Sequence, residues 1–181
     1  MKKIKLKNKN VLPSLKQETH LFIDSEIDLS GEDFFDFKNL FSLSLKAPQF
    51  FSLEVLLSLR GLRVLTFRDT KIDLILPLIH QHSGLEYLTI KQAGLEKLPL
   101  DFSLLTELKE CNLSQNKLTE LPLSFSELKK LKRLNLDQNL FRKFPDIIQK
   151  TPSLTHLSID GNPFPEVEKM RIEREYGIIV H

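Results

Sequence analysis

Apolar positions recur along this chain in one fixed frame, Leu-x-x-Leu-x-Leu. The six copies are Leu40–Phe50, Leu62–Ile72, Leu85–Leu95, Leu108–Leu118, Leu131–Phe141 and Leu154–Phe164. Their first residues stand at 40, 62, 85, 108, 131 and 154, a step of 22 and then of 23. A fixed period in the twenties is the mark of a solenoid. Strand side chains alternate faces, so Cys111 and Leu113 point one way and Glu110, Asn112 and Ser114 the other. Leu118, Leu121, Phe125 and Leu128 then follow at spacings of three or four, which predicts a short helical or polyproline-like return arm. One strand and one arm cannot bury their own apolar sides. Stacking does so, lining the strands into a parallel sheet and the arms into a second layer, with right-handed connections expected.

The motifs resemble the leucine-rich repeat signature Leu-x-x-Leu-x-Leu-x-x-Asn-x-Leu over roughly residues 18–164. Three return arms add a Leu-Pro-x-x-Phe/Ile pattern: Leu98-Pro99 with Phe102, Leu121-Pro122 with Phe125, and Phe144-Pro145 with Ile148. That is similar to the 23-residue Leu-Pro subtype of Ras-suppressor-like scaffolds and short bacterial repeat proteins. The resemblance implies an α/β fold: a right-handed horseshoe solenoid with a concave parallel β-sheet and convex short helical or irregular arms. It also implies protein–protein recognition, usually on the inner face, and no catalytic activity.

The chain reads as a single domain with capped ends. Residues 1–39 are expected to form an N-terminal cap and a degenerate repeat, with His20-Leu21-Phe22-Ile23-Asp24 as its strand and Phe34, Phe35 and Phe37 on its arm. Residues 40–164 hold the six repeats, and 165–181 a helical cap. Pro165 suits a first helical turn, Glu166 and Glu168 suit its positive end, and Gly177 suits its stop. Ile178-Ile179-Val180 is a candidate final strand. The signature Asn is present as Asn116, Asn139 and Asn162 in the last three repeats, but Pro48, Thr70 and Ala93 stand there in the first three. Ala and Pro cannot satisfy backbone groups at the bend, so a less regular N-terminal half is expected.

Composition narrows the function. The 26 Lys and Arg nearly balance 24 Asp and Glu, which leaves no strong overall field for nucleic acid. No apolar run reaches membrane-span length. The start, Met-Lys-Lys-Ile-Lys-Leu-Lys, is basic without the apolar stretch of a signal peptide. A cytoplasmic location is the expectation, with export by a signal-independent route left open. The Lys residues at 2, 3, 5, 7 and 9 read as guards of a solvated edge strand; the alternative is a regulatory or adaptor subunit anchored to an anionic surface through this Lys-rich N-terminus or through its convex face. The single cysteine, Cys111, rules out an internal disulfide and falls on an inward position, as a small buried hydrophobe. His80 and His82 form the one close His pair but lack further ligands in sequence, so no metal site is expected. No phosphate loop or catalytic motif stands out. Neither cofactor nor metal is called for, and a monomer with a protein partner is the expectation.

Binding chemistry must then use the outward strand face. Its third motif position reads Ser42, Val64, Tyr87, Glu110, Arg133, His156; the fifth is small and polar throughout; the seventh runs Lys46, Arg68, Lys91, Ser114, Asp137, Asp160. A small-residue floor beside a varied row makes a groove, and charge changes sign along the seventh row. Tyr and Arg are enriched at binding hot spots. The candidate protein-binding residues are Arg63, Arg68, Tyr87 and Lys91, facing an acidic patch of the partner, with Arg133 and Asp137 setting its orientation.

Overall fold

The computed structural model describes residues 2–4, 19–24, 28–29, 37, 39–46, 50–51, 53–72 and 76–180. Eight parallel strands form one sheet: β1 (Lys2–Ile4), β2 (His20–Asp24), β4 (Ser42–Lys46), β6 (Val64–Arg68), β7 (Tyr87–Lys91), β8 (Glu110–Asn112), β9 (Arg133–Asn135) and β10 (His156–Ser158), in that spatial order. Each strand thus pairs with its neighbours in sequence, the arrangement of a horseshoe solenoid. β3 (Asp28–Leu29) and β5 (Phe50–Phe51) pair separately. The register repeats the motif without slippage: Ser42, Val64, Tyr87, Glu110, Arg133 and His156 lie side by side.

The return arms are single turns: helix α1 (Leu53–Ser58), then 3₁₀ turns at Leu76–Gln81, Leu100–Leu104, Leu123–Glu127 and Asp146–Lys150. In the last three arms a Pro stands just before the turn, at 99, 122 and 145, with φ between −65° and −76°. The pyrrolidine ring fixes that angle and removes a donor the first turn does not need. Between the layers runs one core of inward residues, with Leu43, Leu65, Leu85, Leu108, Leu131 and Phe141 among the fully buried. Phe102 and Phe125 stack at 6.0 Å between ring centroids, tying adjacent arms together. Cys111 belongs to this core, and burial pushes its thiol pKa well up.

Among the described residues, the bends after β6 to β10 each use a left-handed residue at the eighth motif position. Asp69, Gln92, Gln115, Gln138 and Gly161 all have φ between 53° and 69°. The signature Asn one step later holds the bend closed. Asn116 Nδ2 donates to Ile90 and Leu113 carbonyls at 2.7 and 2.9 Å, while its Oδ1 accepts from Ala93 and Leu95 N–H groups. Asn139 and Asn162 repeat this one and two units on. Thr70 offers one bond, to the Arg68 carbonyl; Pro48 lies outside the described residues. The less regular N-terminal half expected from these substitutions does not show in the strands. β4, β6 and β7 are five residues long and β8 to β10 only three. The Asn takes carbonyls that would otherwise extend the ladder, and where it is missing the strands run on.

At the C-terminal end, α2 (Glu166–Tyr176) starts after Pro165 and stops at Gly177, whose φ of 66° suits glycine. Ile172 is buried beneath it, and Tyr176 stacks on Phe144 at 4.4 Å. Arg171 binds Glu168, Asp146 and Glu175 at 2.8, 3.2 and 2.9 Å, and this set of carboxylates raises its pKa. Ile178–Val180, read from sequence as a final strand, forms none. Val180 is buried instead, so the segment serves packing rather than pairing. Of the N-terminal phenylalanines, Phe37 is buried, whereas Phe34 and Phe35 lie outside the described residues, as do Lys5, Lys7 and Lys9.

His82 is the misfit of the core. It fills the arm position that is Leu59, Leu105 and Leu128 in other repeats, and both ring nitrogens are buried without a hydrogen bond. Burial lowers its pKa from 6.5; the nearby Leu56 backbone offsets part of that lowering and the Arg60 charge adds to it. The unfolded chain therefore takes up a proton that the native state refuses. Stability attributable to neutral His82 is present above about pH 6.5 and is lost as pH falls toward the lower native value. Substituting His82→Leu should raise the melting temperature, and by a few degrees more at pH 5.5 than at pH 8. Equal gains at both pH values in paired thermal melts would contradict a buried neutral ring.

Candidate functional site

Three outward columns build the concave face. Adjacent strands in a sheet stand about 4.8 Å apart, so residues in one column are spaced as closely as side chains allow. Lys46, Arg68 and Lys91 are matched in register on β4, β6 and β7. Like charges set directly side by side cost stability. Arg68 is exposed and Lys91 half-buried, and neither meets a carboxylate within ion-pair distance among the described residues. By contrast Lys109 pairs with Glu86, Lys130 with Glu107 and Arg133 with Glu110 at 2.6, 2.6 and 3.7 Å. The Glu86 hydrogen bond raises the Lys109 pKa, and the Lys130 bond lowers that of Glu107. Arg68 and Lys91 thus remain as uncompensated cations on the open face.

Tyr87 is 38% exposed and opens β7, at the opposite end of the strand from Lys91 and about 13 Å from it along the same face. From it a groove of about 480 Å³ runs to β10, walled by Glu110, Arg133 and His156 and floored by Thr89, Asn112 and Asn135. The Asn112 and Asn135 Oδ1 atoms accept the N–H groups of Ser114 and Asp137, which stiffens that floor. At the other end, Ser42 and Ser44 are buried, so the face opens only from β6 onward.

The candidate residues do not all converge. Arg68, Tyr87 and Lys91 lie on two adjacent strands of one face. Arg133 is two strands away and ion-paired. Arg63 sits one residue before β6, half-buried, with Nη1 donating to the Gly84 carbonyl at 2.8 Å. A Cβ at Gly84 would collide with that guanidinium, so Arg63 is fitted into the edge of the sheet rather than presented on it. Asp137 is likewise occupied: its carboxylate accepts from Ser158 Oγ, the Asp160 N–H and Asn135 Nδ2 at 2.7, 2.8 and 3.0 Å. It closes the bend between β9 and β10. Neither role is visible in the motif columns, because the Gly84, Ser158 and Asp160 partners lie 21 to 23 residues away in another repeat. Asn112 and His156, part of the groove, went unselected although the motif columns contain them.

The arrangement presents hydrogen-bonding and charged side chains along an open groove, which can bind and orient a surface. Among the described residues no three His, Cys, Asp or Glu side chains gather as for a metal ion, and no helix is long and apolar enough to cross a membrane. Residues 106–164 match the family model described as leucine rich repeat. The structure is similar to that of a leucine-rich repeat protein from Leptospira interrogans, at 26% sequence identity and a TM-score of 0.69. That likeness covers 92% of this chain but only 44% of the Leptospira chain. No curated protein matches by sequence.

Proposed function

We propose that this chain, a leucine-rich repeat protein, is a non-enzymatic module that binds a partner protein on its concave sheet. The observation that carries the reading is the pair Arg68 and Lys91, without an ion-pair partner among the described residues, on the same outward face as the exposed Tyr87 ring at the other end of β7. A partner's acidic patch docks there, and the groove over β7 to β10 takes the flanking surface. Because the sheet is pre-built, binding orders little of the protein and loses little entropy. Arg133 acts at the groove wall in orientation; Arg63 and Asp137 contribute by holding the rim and the bend in place. A second reading, an adaptor that docks through its convex side, rests on Leu100 and Leu123, exposed and one repeat apart on neighbouring arms.

Electrostatic complementarity acts mainly on association rate. The double substitution Arg68→Glu and Lys91→Glu should slow association with a partner isolated on the wild-type protein by about tenfold at low salt. It should also flatten the salt dependence while leaving the melting temperature nearly unchanged. Stopped-flow or biosensor kinetics at two ionic strengths would decide; unchanged rates would remove the acidic-patch assignment.

A further inference from the structure

β10 is an unguarded sheet edge. The His156 N–H donates to the Lys132 carbonyl at 3.0 Å, and the Ser158 carbonyl accepts from the Leu136 N–H at 2.7 Å. Both residues therefore turn their backbone groups toward β9. Alternation along a strand then turns the N–H and C=O of Leu157 to the open side, where no described strand is paired. β10 contains no Lys, no Pro and no extra bulge residue.

The core beneath this edge is also unfinished. Leu154 and Leu157 are half-buried, whereas their counterparts Leu131 and Leu134 in the preceding repeat are 0% and 2% exposed. A groove of about 600 Å³ lies against them, with Phe144, Tyr176 and Ile178 on its other side. The Thr151 hydroxyl, buried in the wall of that groove, has no hydrogen-bond partner. Helix α2 covers the arm of the fifth repeat, through Phe144 and Asp146, and leaves the strand side open.

We propose that this end of the solenoid takes an extended segment of a partner polypeptide, added as a ninth strand beside β10. Only a strand can offer a matching N–H and C=O at strand spacing to the two outward groups of Leu157. The residue of that segment level with Leu157 is apolar, since the pleat directs it into the groove over Leu157 and Ile178. Its neighbours on either side are polar, since they continue the outward columns of His156 and Ser158. The surface is separate from the concave site and does not use Arg68 or Lys91.

A phage-displayed library of random dodecapeptides, selected on the intact 181-residue chain, supplies the probe. A selected peptide titrated into ¹⁵N-labelled protein should shift the amides of residues 154–159 and 178 most. It should slow hydrogen exchange of the Leu157 amide at least tenfold. N-methylation of alternate peptide nitrogens on the pairing side should weaken binding at least tenfold, and the Arg68→Glu, Lys91→Glu protein should bind the peptide as well as wild type. The proposal is overturned if selection yields no binder, if shifts centre on the concave columns or the convex arms, or if the N-methylated peptide binds equally. It is also overturned if the Leu157 amide is already protected in the free protein, by the chain's own tail or by a second copy.

Discussion

Removing residues 165–181 should leave a protein that aggregates or melts well over ten degrees lower. The deletion takes away Ile172 and Val180, both buried, and the Tyr176 ring stacked on Phe144. Large apolar side chains contribute about 1.5–3 kcal/mol each when buried, so these three carry about 5–9 kcal/mol. The loss also uncovers Phe144, Ile148 and Phe164, each of which is at most 6% exposed in the intact chain. A solenoid passes stability between neighbouring repeats, so an open end weakens the units before it. In the Arg171 cluster the half-exposed Asp146 and Glu175 add little energy, whereas Glu168, 14% exposed, also accepts the Phe144 N–H and ties the helix to the fifth arm. A truncated chain that stays soluble in size-exclusion chromatography and melts within two or three degrees of the full one would mean that these residues are not a cap.

Substituting Asn139→Ala should cost about 2–4 kcal/mol, because buried groups left without partners cost about 1–3 kcal/mol each. The side chain serves the Leu113 and Leu136 carbonyls and the Leu118 N–H, all inside the protein. Thr70→Ala, at the matching position four strands earlier in the sheet order than β10's bend, loses a single bond to Arg68 and should cost a fraction of that. Urea denaturation of the two variants measures the contrast directly. Equal costs would show that the Asn ladder does not carry the C-terminal half.

Much of this architecture is legible in the chain because the period is fixed. Once Leu62 and Leu85 are placed, every later column follows at a step of 23, and the register from Ser42 to His156 repeats it residue for residue. What resists reading is whatever depends on a second repeat or on competition between uses of one residue. Arg63 looks like a free cation until Gly84, 21 residues on, offers its carbonyl. Asp137 looks like part of a charged row until Ser158 and Asp160 close around it. Ile178–Val180 has the β-branched character of a strand, but burial of Val180 in the core competes with pairing and wins. His82 was open to recognition: aligning the arms sets it in the column of Leu59, Leu105 and Leu128, where a polar ring has nothing to bond.

Site-specific photo-crosslinking tests the concave-face claim most directly. A benzophenone side chain placed at Tyr87 samples the concave groove, and one placed at Leu123, 80% exposed, samples the convex arms. In native extract, the Tyr87 position should capture a discrete partner in specific bands that disappear in the Arg68→Glu, Lys91→Glu background, while the Leu123 position captures none of them. The same partner crosslinked from Leu123 and not from Tyr87 would contradict the account.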